Sequence, residues 1–432
     1  MKIKKFGFGI VITIIIAILI EYRFFFLIDA PHIIDRLFVD GKYVMISLIG
    51  FVVFLYIYLF HGKFMSKYGK WPMIYTWVIM AVVLLFTLYT QSIYPNQKLF
   101  DTLANGCRFS CIALFVPFLF ILERDRDTMQ IMRWLNVIVG IWYIYTICQG
   151  IVYSQTGSFL FLFRDYYYEE IMLRNGTLRV GQDPFGAIML LYNINKLLHG
   201  NGHKKGWHLL LCILGGLQIV LIQQTRMMIL VCSICIAVEV MYYGHNRNQK
   251  IFRALLIIGC GVFLITSPMV SNFLESFLES SDRYGSSTIA RMYSLTYLWG
   301  VFLENPLMGY AWPTTLAYGS VAHGSTGMAH ASDVGFVGML AELGLFSIVV
   351  YIIPVVRMIY ILRKTKNAPR SEMRIFLVVL LVFILSSSVT LIITDATRCV
   401  GYPFVMALFE YYYRQQMQAN ANSGSYGSIE CR

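Results

Sequence analysis

Charge is scarce in this sequence: Asp, Glu, Lys and Arg make up 13% of its 432 residues, against 58% hydrophobic ones. One water-soluble core has no room for so much apolar side chain, so a bilayer is the expected solvent. Cysteine pairs within the outer loops are missing too. Cys107, Cys111, Cys148, Cys212, Cys232, Cys235, Cys260 and Cys399 fall mostly within apolar blocks and Cys431 lies in the tail, which indicates neither a disulfide framework nor a zinc cluster. The N-terminus MKIKKFGFGIVITIIIAILI has the basic start and apolar run of a signal peptide, but no small-x-small cleavage site follows. It reads as a retained first span. No internal repeat is evident.

What is present is a series of apolar blocks, each of the length an α-helix needs to cross a bilayer. We place about a dozen spans, at 7–28, 43–60, 71–90, 99–122, 131–153, 184–199, 207–224, 227–243, 251–268, 332–362, 375–394 and 399–413. With both termini on the cytoplasmic side, 23 of the 35 Lys and Arg fall on cytoplasmic segments and 12 on the other side. The positive-inside rule supports that orientation. The formal charge of +12 is thus an orientation signal, and no other feature points to nucleic acid. One domain of residues 1–414 is expected, with a disordered cytoplasmic tail over 415–432, rich in Asn, Ser and Gly.

Two outer segments exceed what a connection requires, 154–183 and 269–331, and long loops in compact bundles are usually functional. In the second, apolar residues recur at helical spacing without any window long enough to span, so short helices against the membrane surface are expected.

Arginine is costly near hydrocarbon and needs an anionic partner or water. Arg179 precedes a span, Arg226 sits in QQTRMM at a tight turn between two spans, Arg291 lies on an expected loop helix, and Arg398 follows a span. Any one of them alone could snorkel to headgroup phosphates. Several converging would suit a pyrophosphate, because the guanidinium keeps its charge and bonds phosphate oxygens bidentately. His323 and His330 come just before the 332–362 span, where Asp333 either caps a helix N-terminus or works with a histidine as a base. Glu342 lies deeper in that span and calls for a buried cation or polar partner. Asp101 and Arg108, seven residues apart, share a helical face, either lining one cavity or neutralising each other. Asp125 and Asp127 read as a solvated loop, and Asn175-Gly176-Thr177 is a glycosylation sequon, meaningful only in a eukaryotic secretory pathway.

Three segments, RVGQDPFG, QQTR and ARMYSLTYLWGVFLENPLMGYAW leading to AELGLFSIVVYI, resemble in order and expected sidedness the superfamily of O-antigen ligases and Wzy-type O-antigen polymerases. The resemblance covers about residues 175–360. It implies an all-α, polytopic membrane fold of the GT-C-like kind, in a bacterial cytoplasmic (inner) membrane, and a metal-independent glycosyltransferase without cofactor. The implied partners are an undecaprenyl-diphosphate-linked oligosaccharide, an acceptor glycan, the lipid bilayer and a chain-length regulator. By matching position, Arg179, Arg226 and Arg291 would engage the diphosphate. The family's loop histidine usually stands about nine residues before the Glu-x-Gly glutamate, where this chain has Asp333, so the base is His330 or Asp333. His323, Glu342 and Arg398 would support the site. The reading is polymerisation of surface-polysaccharide repeat units outside the cytoplasm. A ligase moving polymer onto a lipid A core or another acceptor, and a transporter or flippase, are the alternatives.

Overall fold

The computed structural model describes residues 2–26, 41–61, 70–124, 130–160, 173–174, 177–180, 183–200, 205–242, 285–366, 371–390, 392–395 and 398–426. The fold is helical apart from a two-residue antiparallel pair, Leu173–Arg174 with Thr177–Leu178. Helices occupy every expected span except 251–268, which lies outside the described residues together with 269–284, Asp125 and Asp127. Five helices are long and apolar enough to cross a membrane: Lys42–Phe60, Trp71–Ile93, Leu99–Arg124, Gln130–Thr156 and Lys205–Gln223. Their outward faces are oily, with Leu84 61% and Leu88 62% exposed. Water would penalise such a surface and lipid does not, so it belongs in a membrane.

Prolines and glycines shape the helices where the site forms. The Leu99–Arg124 span tightens to a 3-10 turn at Cys111–Leu114 just before Pro117, which has no N–H to continue the ladder. The 332–362 span is broken: a helix Gly335–Leu343 stops at Gly344 (φ +55°), and a π turn Ile348–Ile352 precedes Pro354 in the helix Ile353–Lys364. The last helix, Gly401–Tyr426, continues through the composition that had pointed to a disordered tail, and 427–432 lies outside the described residues.

Polar contacts join helix ends that strict alternation assigns to one side. On the ends assigned to the cytoplasm, Lys196 pairs with Glu372 (2.6 Å), Arg414 with Glu123 (2.6 Å) and Arg357 with Glu410 (2.6 Å). On the opposite ends, the Tyr22 hydroxyl donates to Asp183 (3.0 Å), Tyr94 to the Tyr310 carbonyl (3.0 Å) and the Phe336 amide to the Ser388 carbonyl (2.8 Å).

Candidate functional site

Two polar clusters form at the ends assigned to the outer side. The first is a cavity of about 240 Å³ whose polar lining includes Asn105, Arg108, His323, His330, Glu342 and Asp395. Its floor comes from packing the 305–314 segment onto the end of the Gly335–Leu343 helix. The amides of Tyr310 and Ala311 donate to the carbonyls of Ala341 (2.8 Å) and Glu342 (3.0 Å), and the Leu345 amide donates to Pro306 (2.8 Å). Gly309 (φ +60°) has no space for a Cβ against the Ala341 carbonyl. Gly344 is equally confined by Pro306 and Leu307. The Asn-Pro-Leu-Met-Gly stretch and the Glu-x-Gly motif are therefore two halves of one backbone joint. A Gly309→Ala variant is expected to lose about 1–2 kcal/mol from the left-handed conformation, and more from the carbonyl clash. A lowered midpoint of thermal unfolding in detergent checks it.

Gln97 clamps the same segment from the other side, its amide donating to the Trp312 carbonyl (2.8 Å) while its carbonyl accepts from the Thr314 amide (2.8 Å). Trp312 lies over Gly106, where any side chain would meet its ring, and stacks on Phe109 with centroids 5.9 Å apart. Arg108, one turn beyond Asn105, is thereby aimed at the joint.

Arg108 makes a close ion pair with Glu342 and has Asp395 at 3.9 Å; Asp395 in turn accepts from Arg398 at 3.1 Å. The partner expected of Glu342 is thus Arg108, across 234 residues of sequence. Glu342 and Asp395, rather than the near-neighbour Asp101, are the carboxylates paired with Arg108 among the described residues. Asp395 was not singled out from sequence, although the Asp-x-x-Arg spacing of Asp395 and Arg398 at a span end was there to be read.

The histidines meet at the cavity with ring centroids 4.7 Å apart. His323 Nδ1 lies 2.7 Å from the Ala329 carbonyl, which can only accept. In the neutral ring Nδ1 then carries the proton and Nε2 is the accepting nitrogen. His330 is exposed, and its amide donates to the Ser294 hydroxyl (3.1 Å) on the Gly285–Glu304 helix. Hydrogen bonds from Thr326 and Ser325 hold the half-buried Tyr293 phenol on that helix below its usual range. Arg291 stands three residues before Ser294, on the same face. Its Nε is buried with no hydrogen-bond partner among the described residues. Asp333 follows in the 3-10 turn Ala331–Asp333 and is not part of the cavity lining.

The second cluster lies at the QQTR turn. The Arg179 Nε donates to the Gln223 carbonyl (3.1 Å), a terminal nitrogen reaches the Thr225 hydroxyl (3.4 Å), and the Val180 amide donates to Ile222 (3.2 Å). Gln224 takes a left-handed conformation (φ +48°), and the next helix starts at Arg226, which is 7% exposed. Arg179 and Arg226 thus come from separate segments to one turn, beside a helix N-terminus whose amides favour anions. Among the described residues no hydrogen bond or ion pair joins Arg291 to this pair, and Arg291 is not on the cavity lining either. Compared with known proteins, the chain matches no family model and none of the curated proteins. The site's chemistry rests on its residues.

Proposed function

We propose that the chain transfers a glycan from a lipid-linked diphosphate donor to a sugar hydroxyl on the outer side of the membrane, polymerising surface-polysaccharide repeat units. The observation that carries this reading is the convergence of Arg179 and Arg226 on one turn at the edge of the bundle. Two guanidiniums beside a helix N-terminus match a diphosphate in charge and geometry. The histidine-lined cavity at the same ends of the helices supplies a proton acceptor.

The acceptor hydroxyl attacks the anomeric carbon, and a new C–O bond forms as the bond to the diphosphate oxygen breaks. The electron pair leaves with that oxygen, while the hydroxyl proton passes to imidazole. Negative charge grows on the leaving diphosphate, so arginines already in place lower the barrier more than they tighten ground-state binding. His330 is the base favoured by its position on the cavity, with His323 against it. His330→Ala is expected to slow transfer by about 10²- to 10⁴-fold and Asp333→Asn by only a few-fold. Rates of lipid-linked glycan consumption in membranes with matched protein levels decide between them, and the reverse order would make Asp333 the base.

Arg291→Ala is expected to abolish polymer while the protein remains in the membrane; normal chain length in that variant removes Arg291 from the machinery. In a deletion strain, single-repeat products on the carrier lipid support polymerisation. A ladder of lengths on the carrier would instead make the chain a ligase.

A further inference from the structure

The cavity around Arg108 differs in character from the arginine turn. Its guanidinium is matched by Glu342 and Asp395, and Asp395 is matched again by Arg398. On the lining itself Arg108 faces two carboxylates, Glu342 and Asp395, and Arg398 balances Asp395 from outside the lining, so an anion gains no net attraction there. Hydrogen-bonding capacity is nonetheless dense and of both kinds. The carboxylates of Glu342 and Asp395 accept, the Asn105 amide and Arg108 guanidinium donate, and the Ser332 hydroxyl and the two imidazoles do either. Asn105 and Ser332 are exposed at the mouth, whereas Arg108, Glu342 and Asp395 lie deeper. A ligand complementary to this lining is uncharged and carries many groups that both donate and accept.

We infer that this cavity is the subsite for the acceptor, and that the acceptor unit it takes is a neutral pyranose rather than a uronic acid or a phosphorylated sugar. The inference rests on the glycosyl-transfer reading and adds the substrate class to it. Glu342 and Asp395 receive ring hydroxyls, Arg108 and Asn105 donate to them, and the hydroxyl nearest the histidines is the one that reacts. The division of labour follows: the Arg179 and Arg226 turn takes the charged end of the donor, and the balanced cavity takes the uncharged sugar.

The test uses the purified full chain in nanodiscs of phosphatidylglycerol and phosphatidylethanolamine. Saturation-transfer NMR is recorded with glucose, galactose, mannose, N-acetylglucosamine, glucuronate and inorganic phosphate. At least one neutral sugar is expected to receive signal, glucuronate and phosphate none. Ser332→Trp, which fills the mouth from an exposed position, is expected to erase that signal, and the isosteric Asp395→Asn to weaken binding about tenfold or more. Preference for glucuronate or phosphate, neutral-sugar signal that survives both substitutions, or no sugar signal at all would overturn the inference. Release of undecaprenyl diphosphate from a lipid-linked glycan is followed on the same samples. Full release by Ser332→Trp overturns the acceptor subsite and leaves glycosyl transfer standing, whereas neutral-sugar binding in a protein that never releases the diphosphate keeps the sugar site and removes the transfer.

Discussion

Arg226→Ala is expected to reduce glycan transfer by about 10²- to 10³-fold, the loss typical of removing one fixed donor from developing negative charge. The side chain is 7% exposed and opens a helix directly after the turn that Arg179 reaches, which fixes it in place. Arg226→Lys keeps the charge and loses the planar fork, and is expected to retain an intermediate rate. The effect belongs to the transition state, so it appears mainly in kcat with KM changed little. Steady-state rates in proteoliposomes with equal amounts of each variant provide the check. Wild-type turnover in Arg226→Ala would take the turn out of the chemistry.

The second large effect concerns stability. Glu342→Ala leaves Arg108, a side chain only 17% exposed, without its close partner. Breaking a buried pair from one side costs about 3–5 kcal/mol, because the remaining charge stays out of water. Asp395 at 3.9 Å offers partial compensation, which places the expectation toward the lower end of that range. Removing both charges in Arg108→Met with Glu342→Leu is expected to restore most of the loss, since a well-packed apolar pair replaces an ion pair at little cost. Unfolding in detergent distinguishes these outcomes. If the single variant unfolds like the wild type, the pair does not hold the joint together.

Those two sites differ in how readily the sequence announces them. Arg179 and Arg226 lie at the edges of apolar blocks, where a cation is conspicuous, and their convergence could be argued from the cost of charge near hydrocarbon. The helices were legible for the same reason, since apolar stretches have few alternatives to a helix in a bilayer, and five of them are long and apolar enough to cross one. The Arg108–Glu342 pair could be read only halfway. Glu342 demanded a partner, but one-dimensional spacing offered Asp101 as the neighbour of Arg108, while the carboxylates that actually reach it come from 234 residues away and from Asp395 at another span end.

The joint that creates the cavity was less legible still. It is made of backbone hydrogen bonds between 306–311 and 341–345, and backbone groups carry no residue-specific signature. The glycines that permit it, Gly309 and Gly344, look like any loop glycine until their positive φ values and the carbonyls beside them are known. At the C-terminus, Asn, Ser and Gly at Gln415 and beyond pointed away from order, and the last helix runs into that segment as far as Tyr426. The helix Gly401–Tyr426 starts in a buried, aromatic-rich stretch and propagates past it, as helices do once nucleated.

The most direct measurement is a transfer assay with the purified chain in detergent, an undecaprenyl-diphosphate-linked repeat unit, a chelator, and neither nucleotide nor ion gradient. The account predicts lengthened glycan together with stoichiometric release of undecaprenyl diphosphate, both lost in Arg226→Ala. Glycan recovered chemically unchanged from active, folded protein would contradict it and make transport the better reading.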